Sequence, residues 1–179
     1  DDEQDGLWSY FSKDGSVAEE ITFSGGKRDG RSTVWLTPEE KQEEKFYKNG
    51  KLDGPSTFWE NGYRSTMTTY KSDSPEGPWV IWFSNSDQIK EQGFHQKGIR
   101  EGLTTYYYED GTMQREGFFK EGLPDGMWTY WNKEGEKDFD FDFGSGLQHI
   151  SLEDLVERES IFYKLGEDTP FTGIITQEN

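Results

Sequence analysis

The chain of 179 residues contains no cysteine. That excludes disulfides, thiolate metal sites and cysteine nucleophiles, and it leaves the redox compartment unread. Apolar residues are scarce: 30% of the chain is hydrophobic, below the usual share for a compact domain. Bases are scarce as well, 19 against 36 acids, for a formal net charge of -17. A chain so poor in Lys and Arg is a poor nucleic-acid binder, because phosphate contacts need those residues. The same charge disfavours an anionic membrane surface. No run of 18 apolar residues occurs, so no transmembrane helix is expected. No signal peptide is visible before Asp1-Asp2-Glu3, an opening compatible with a leader already cut away. Only two histidines exist, His95 and His149, and 54 residues separate them, which is no metal-ligand spacing.

What the chain does have is rings and glycines. Phe, Trp and Tyr make up 16% of it, and 21 residues are Gly. Disordered chains are poor in aromatics, so this composition implies a thin fold that buries large rings and little aliphatic core. The order is periodic. An acidic residue followed by Gly recurs at Asp5-Gly6, Asp29-Gly30, Asp53-Gly54, Glu76-Gly77, Glu101-Gly102 and Asp125-Gly126, in steps of 24, 24, 23, 25 and 24 residues. Numbering each repeat from its acid, an aromatic stands near the nineteenth place: Phe23, Tyr47, Tyr70, Phe94, Phe119, Phe143. Trp8, Trp79 and Trp128 fill the fourth place; Trp35, Trp59, Trp82 and Trp131 fill the seventh, joined there by Phe11 and Tyr107. The sixth place holds Tyr10, Val34, Phe58, Ile81, Tyr106 and Tyr130.

Each period reads as a β-hairpin. A first strand such as Gly126-Met127-Trp128-Thr129-Tyr130-Trp131 is rich in ring-bearing and β-branched residues. Turn chemistry follows at Lys13-Asp14-Gly15, Glu60-Asn61-Gly62, Glu109-Asp110-Gly111 and Lys133-Glu134-Gly135, where glycine suits a backbone at positive φ. A second strand and a second turn lead to the next acid-Gly pair, leaving little room for a helix inside the repeat. Hairpins are expected over 5–28, 29–52, 53–75, 76–100, 101–124 and 125–148. Strand alternation puts the fourth and sixth places on one face and the seventh on the other. The expected fold is all-β: one elongated antiparallel sheet in which each repeat touches its neighbours.

Stretches such as Asp125-Gly-Met-Trp-Thr-Tyr-Trp-Asn-Lys-Glu-Gly135 and Phe119-Lys-Glu-Gly122 resemble the MORN repeat, and more narrowly its bacterial variant of about two dozen residues, a family often labelled YwqK-type antitoxins. The resemblance covers residues 5–148. It implies a row of antiparallel hairpins in one twisted, grooved sheet, and a scaffold or binding module in place of an enzyme.

Residues 149–179 depart from the period. Ser151-Leu-Glu-Asp154 has a helix start's cap and first-turn acids, and Leu152, Leu155 and Val156 form a short apolar stripe, so a short helix is expected near 152–158. Ser160 to Gly166 returns to the second-strand pattern, and Thr172-Gly173-Ile174-Ile175 looks like the first strand of a further repeat. The expected division is 1–148, six hairpin repeats, and 149–179, a helix-containing insert with the start of another repeat. The stretch from Asp154 to Gly173 also resembles the lead-in to such arrays in some secreted bacterial proteins. A secreted, periplasmic or cell-surface location is therefore favoured over the cytoplasm. The exposed strand edges expected at both ends suggest assembly with another copy or another repeat block.

No catalytic constellation stands out from the repeat background, no Gly-x-Ser-x-Gly elbow supports a triad, and no phosphate loop or dinucleotide fingerprint is present. Asp138, Asp140 and Asp142 superficially suggest a calcium loop, but its sixth place is Phe143 and its twelfth His149. They read instead as acids along a strand. No catalytic, metal or cofactor site is expected. The candidate binding face is the seventh-position series Phe11, Trp35, Trp59, Trp82, Tyr107 and Trp131. These rings could receive sugars or an extended peptide, or could pack on one another as the core of a one-layer sheet. Three functions compete: a non-enzymatic scaffold that binds protein or self-assembles through sheet edges; a carbohydrate or cell-wall binder using an aromatic face; and an antitoxin-like neutraliser of a basic partner, resting on the family label and the net charge.

Overall fold

The computed structural model describes residues 3–144 and the strand segments 148–151, 155–158, 161–164 and 173–176. The strands in chain order are β1 (Gly6–Phe11), β2 (Val17–Ser24), β3 (Lys27–Thr37), β4 (Glu40–Lys48), β5 (Lys51–Glu60), β6 (Tyr63–Lys71), β7 (Ser74–Trp82), β8 (Ile89–Gln96) and β9 (Ile99–Arg100). They continue as β10 (Gly102–Tyr107), β11 (Met113–Lys120), β12 (Leu123–Trp131), β13 (Lys137–Asp142), β14 (Gln148–Ser151), β15 (Leu155–Arg158), β16 (Ile161–Lys164) and β17 (Gly173–Thr176). The first 13 form one open antiparallel sheet in which each strand pairs with the next, except that β8 is followed by β10 while the short β9 hangs on β8. The all-β expectation holds, and no helix occurs among the described residues.

Two turn types recur. The turns that end repeats one to five carry two consecutive residues at positive φ: Gly25-Gly26, Asn49-Gly50, Ser72-Asp73, Lys97-Gly98 and Glu121-Gly122. That is the mirror-image two-residue turn whose twist suits a hairpin. Inside the first, fifth and sixth repeats a longer turn closes with a single left-handed glycine, Gly15, Gly111 or Gly135. In four of the repeats the opening acid secures the turn at that repeat's end. Asp29 Oδ2 accepts from the Asn49 N–H at 2.9 Å, Glu76 Oε2 from Lys97 at 2.7 Å and Glu101 Oε2 from Glu121 at 2.9 Å. Asp5 Oδ1 accepts more weakly from Gly25 at 3.4 Å.

The second-place glycine has two reasons to be there. All six lie at positive φ, between 62° and 126°. At Gly30, Gly54 and Gly77 the backbone also crowds the preceding strand: a Cβ on Gly54 would lie 2.9 Å from the Phe46 Cβ. The ladder breaks at this point, with three residues facing one, as where Arg28 pairs with Phe23 and Ser32 with Ile21.

A single layer buries little. Among the described residues the buried large apolar side chains are Ile21, Trp79, Trp82 and Trp128, with Thr33 and Thr104 fully enclosed between strands. Trp128 is enclosed by rings of three other strands or turns: Tyr106, Phe119 and Phe143, with centroids 6.1, 5.3 and 5.5 Å away. Glycine makes room for it, since a Cβ on Gly117 would overlap the indole. Trp79 uses Gly93 in the same way.

Three expectations are corrected. The helix near 152–158 is not formed: Leu155–Arg158 is a strand paired antiparallel with Ile161–Lys164, while 152–154 lie outside the described residues. The physical reason is local. Val156, Ile161, Phe162 and Tyr163 are strand formers flanking a two-residue connection, and a helix of that length gains too few bonds to offset its nucleation. Strand β17 does not extend the main sheet; it pairs in parallel with β14, and β15 and β16 form a separate two-stranded sheet. Finally, the nineteenth-place ring of the fourth repeat is displaced. Gly77 pairs with His95, where Gly6, Gly30, Gly54 and Gly102 pair with Phe23, Tyr47, Tyr70 and Phe119. That repeat is one residue longer, so His95 takes the inner place beside Trp79 and Phe94 turns outward, 45% exposed.

Candidate functional site

A second irregularity recurs in every hairpin, between the sixth and seventh places of the first strand. The partner strand there carries one extra residue: Ala18, Gln42, Ser65, Lys90, Gln114 or Asp138. A bulge of this kind bends the strand and re-aims a side chain. In repeats four to six these bulges line a groove of about 1120 Å³. Each contributes two consecutive residues to it: Lys90-Glu91, Gln114-Arg115 and Asp138-Phe139.

The floor follows from register. Directly paired residues in an antiparallel sheet share a face. The pairs Glu91–Tyr106, Tyr106–Arg115, Arg115–Tyr130 and Tyr130–Phe139 run without interruption across five strands. Tyr130 and Phe139 stack face to face, centroids 4.5 Å apart at 11°. The Arg115 guanidinium lies 4.2 Å from the Tyr106 ring centroid. Arg100 donates to the Tyr106 hydroxyl at 3.1 Å and pairs with Glu91 at 3.4 Å, while its guanidinium covers Trp79. Burial pushes the Tyr106 hydroxyl above its ordinary value, partly offset by Arg100 and Arg115; burial also raises Tyr130, offset by Arg115. Both phenols are therefore neutral at physiological pH, able to donate and to accept. Among the described residues no carboxylate pairs with Arg115, which is held by the Tyr106 ring and by its hydrogen bond to the Tyr130 hydroxyl.

The six residues of the expected seventh-position face fall into different surroundings. Phe11 is 63% exposed on β1. Trp35, Trp59 and Trp82 lie two strands apart, too far to stack on one another, and basic side chains fill the gaps. Lys41 is the register partner of Trp35 and lies over Trp59 at 5.4 Å; Arg64 is the partner of Trp59 and lies over Trp82 at 4.8 Å. Trp82 is buried. Tyr107 and Trp131 border the groove at its strand ends, although the Tyr107 hydroxyl accepts from Gln92 Nε2 on the opposite face at 2.8 Å. The floor rings Tyr106 and Tyr130 belong to the sixth position, which was not nominated. The signal that could have found them is the change of bulge partner along the array, from Glu19 and Glu43 to Arg115 and Phe139.

The three aspartates of the last hairpin do not converge. Asp138 is the bulge residue at the groove, Asp140 accepts from Thr129 Oγ1 and pairs with Lys137, and Asp142 accepts from the Gly144 N–H. Among the described residues no group of three His, Cys, Asp or Glu side chains is placed to hold a metal ion.

The other face carries a second feature. Pro78 pairs with Phe94 and Leu103 with Phe118, and Met127 lies on the same face of β12. Phe94, Leu103, Phe118 and Met127 are 45% to 58% exposed, a run of apolar side chains across repeats four to six. The equivalent places in the first three repeats mix apolar Leu7, Phe46 and Pro55 with polar Thr22, Arg31 and Thr69.

The family described as the MORN repeat variant matches the chain at residues 4–24 and 100–121. Each match spans one hairpin, the first and the fifth. The remaining hairpins share the bulge between sixth and seventh places. No curated protein matches the chain. Among the described residues no helix is long and apolar enough to cross a membrane.

Proposed function

We propose that this chain is a non-enzymatic repeat scaffold that binds a protein partner through the apolar run formed by Pro78, Phe94, Leu103, Phe118 and Met127. The observation that carries this reading is that run itself. Contiguous exposed apolar surface costs solubility, and on a soluble sheet it marks an interaction site. In the first three repeats Thr22, Arg31 and Thr69 interrupt the same places, so the run is continuous only over repeats four to six. The resemblance to MORN arrays, which serve as scaffolds, supports it.

The test is affinity capture from the native source with three baits: the parent chain, the double variant Leu103→Asp/Phe118→Asp, and Asp138→Ala on the opposite face. A partner held by the parent and by Asp138→Ala, and lost by the double variant, supports the reading. Retention by the double variant refutes it. The partner can be a second copy, which light scattering on the purified chain resolves. A secreted, periplasmic or cell-surface bacterial setting belongs to this proposal, and fractionation of the native source tests it.

A further inference from the structure

We infer that the bulge-lined groove over repeats four to six is a separate binding site for a neutral oligosaccharide. Sugar rings present apolar C–H faces flanked by hydroxyls, so their recognition needs flat rings beside fixed polar groups. The groove supplies both. Tyr130 and Phe139 stand as a stacked pair beside Tyr106 on one face of the sheet. Arg115 lies against the Tyr106 ring and donates to the Tyr130 hydroxyl, with no carboxylate partner among the described residues, which fixes both phenols for contact with sugar hydroxyls. Glu91 and Asp138 offer acceptors for sugar hydroxyls on either side. The row from Glu91 to Phe139 spans four strand spacings, about 19 Å, the footprint of several linked pyranose rings.

Charge narrows the class of glycan. Five carboxylates and three bases line the groove: Glu91, Glu109, Asp110, Glu134 and Asp138 against Lys90, Arg115 and Lys133. The chain as a whole carries -17. An acidic glycan would be repelled on approach, whereas a neutral one pays no such penalty. A basic peptide is not repelled either, so it serves below as the competing probe.

The experiment is isothermal titration of the full chain with four neutral hexasaccharides (β-1,4-linked N-acetylglucosamine, glucose, mannose and xylose), with hexagalacturonate and with a lysine-rich peptide. The expected result is saturable binding of at least one neutral hexasaccharide. That binding should weaken tenfold or more in Tyr130→Ala and in Asp138→Ala, and stay unchanged in Leu103→Asp/Phe118→Asp on the other face. Asp138 is exposed, so its variant reports on binding even if removal of the Tyr130 ring unfolds the hairpin. Failure of all four neutral probes, tighter binding of hexagalacturonate or of the peptide, or binding that survives Asp138→Ala each overturns the proposal. None of these results depends on the protein partner at the apolar run.

Discussion

Replacing Trp128 by Ala perturbs the most enclosed contact in the array. The indole is 3% exposed, touches rings from the preceding hairpin and from its own, and donates from Nε1 to the Phe118 carbonyl at 3.2 Å. Truncating a buried Trp costs about 3–5 kcal/mol. The lower part of that range is expected here, because an open sheet can admit water to the vacated space and the freed carbonyl can be rehydrated. The loss should stay local, since each repeat leans only on its neighbours. Hydrogen exchange should show protection falling across β10 to β13 while β3 to β6 keep theirs. A companion change isolates the cause. Gly117 is not in the left-handed region, so Gly117→Ala acts only by pushing a methyl into the Trp128 ring. Overpacking of this kind costs about 1–3 kcal/mol. In the Trp128→Ala background the methyl has room, and its cost should vanish. Chemical denaturation of the four species in a double-mutant cycle gives the coupling directly. Additive losses, or a Trp128→Ala protein that unfolds with its parent, would refute the packing argument.

Three further outcomes follow from the same geometry. Gly54→Ala should destabilise by about 1–3 kcal/mol in denaturant melts, because it adds backbone strain at φ 126° to a clash with Phe46, whereas Gly6→Ala meets open space and should cost less. Asp29→Ala removes the acceptor for the Asn49 N–H and should cost about 0.5–1.5 kcal/mol, with faster exchange at that amide. Burial first, and Arg100 second, hold His95 below its ordinary value of 6.5. The folded state therefore binds its proton less readily than the unfolded chain, so its contribution is complete above pH 6.5 and is lost as pH falls through the lowered value. His95→Phe, which restores the ring found at Phe23 and Phe119, should lessen the drop in melting temperature between pH 7 and pH 5; an equal drop in both proteins would show that His95 does not set it.

The period, the hairpins and the single sheet were legible because every Trp falls in one of two registers and every repeat opens with an acid and a glycine. The reason for those two residues was legible only in part. Positive φ at glycine follows from turn chemistry, but the tie between Asp29 and the Asn49 amide crosses 20 residues and needs the folded hairpin. The fourth repeat hid a substitution. Phe94 fits the ring pattern when counted from Glu76, yet the added residue moves the register and brings His95 inward. The tail misled for a related reason. Ser151 and the acids after it match a cap, but a cap only helps a helix that something else supports, and the Leu155–Arg158 segment finds a strand partner instead.

The candidate groove was least legible because its cause is an irregularity that is itself periodic. A perfect alternation assigns each side chain to one face and predicts six equivalent ring positions. The bulge after the sixth place breaks that alternation once per hairpin, on the partner strand, and so creates a place where two consecutive residues reach the same groove. Nothing in the hairpin's stability dictates what those residues are: they are Ala18-Glu19 and Gln42-Glu43 early in the array, then Gln114-Arg115 and Asp138-Phe139 late in it. A conserved-looking frame with a freely varied bulge pair is how a repeat sheet can carry a site without sacrificing its fold. Exchanging the late pairs for the early ones, Arg115→Glu with Phe139→Glu, should therefore abolish saccharide binding while leaving the strand content of the circular dichroism spectrum in place. If the exchange unfolded β10 to β13 as Trp128→Ala does, the bulge pairs would be part of the core, and the separation of frame from site argued here would fail.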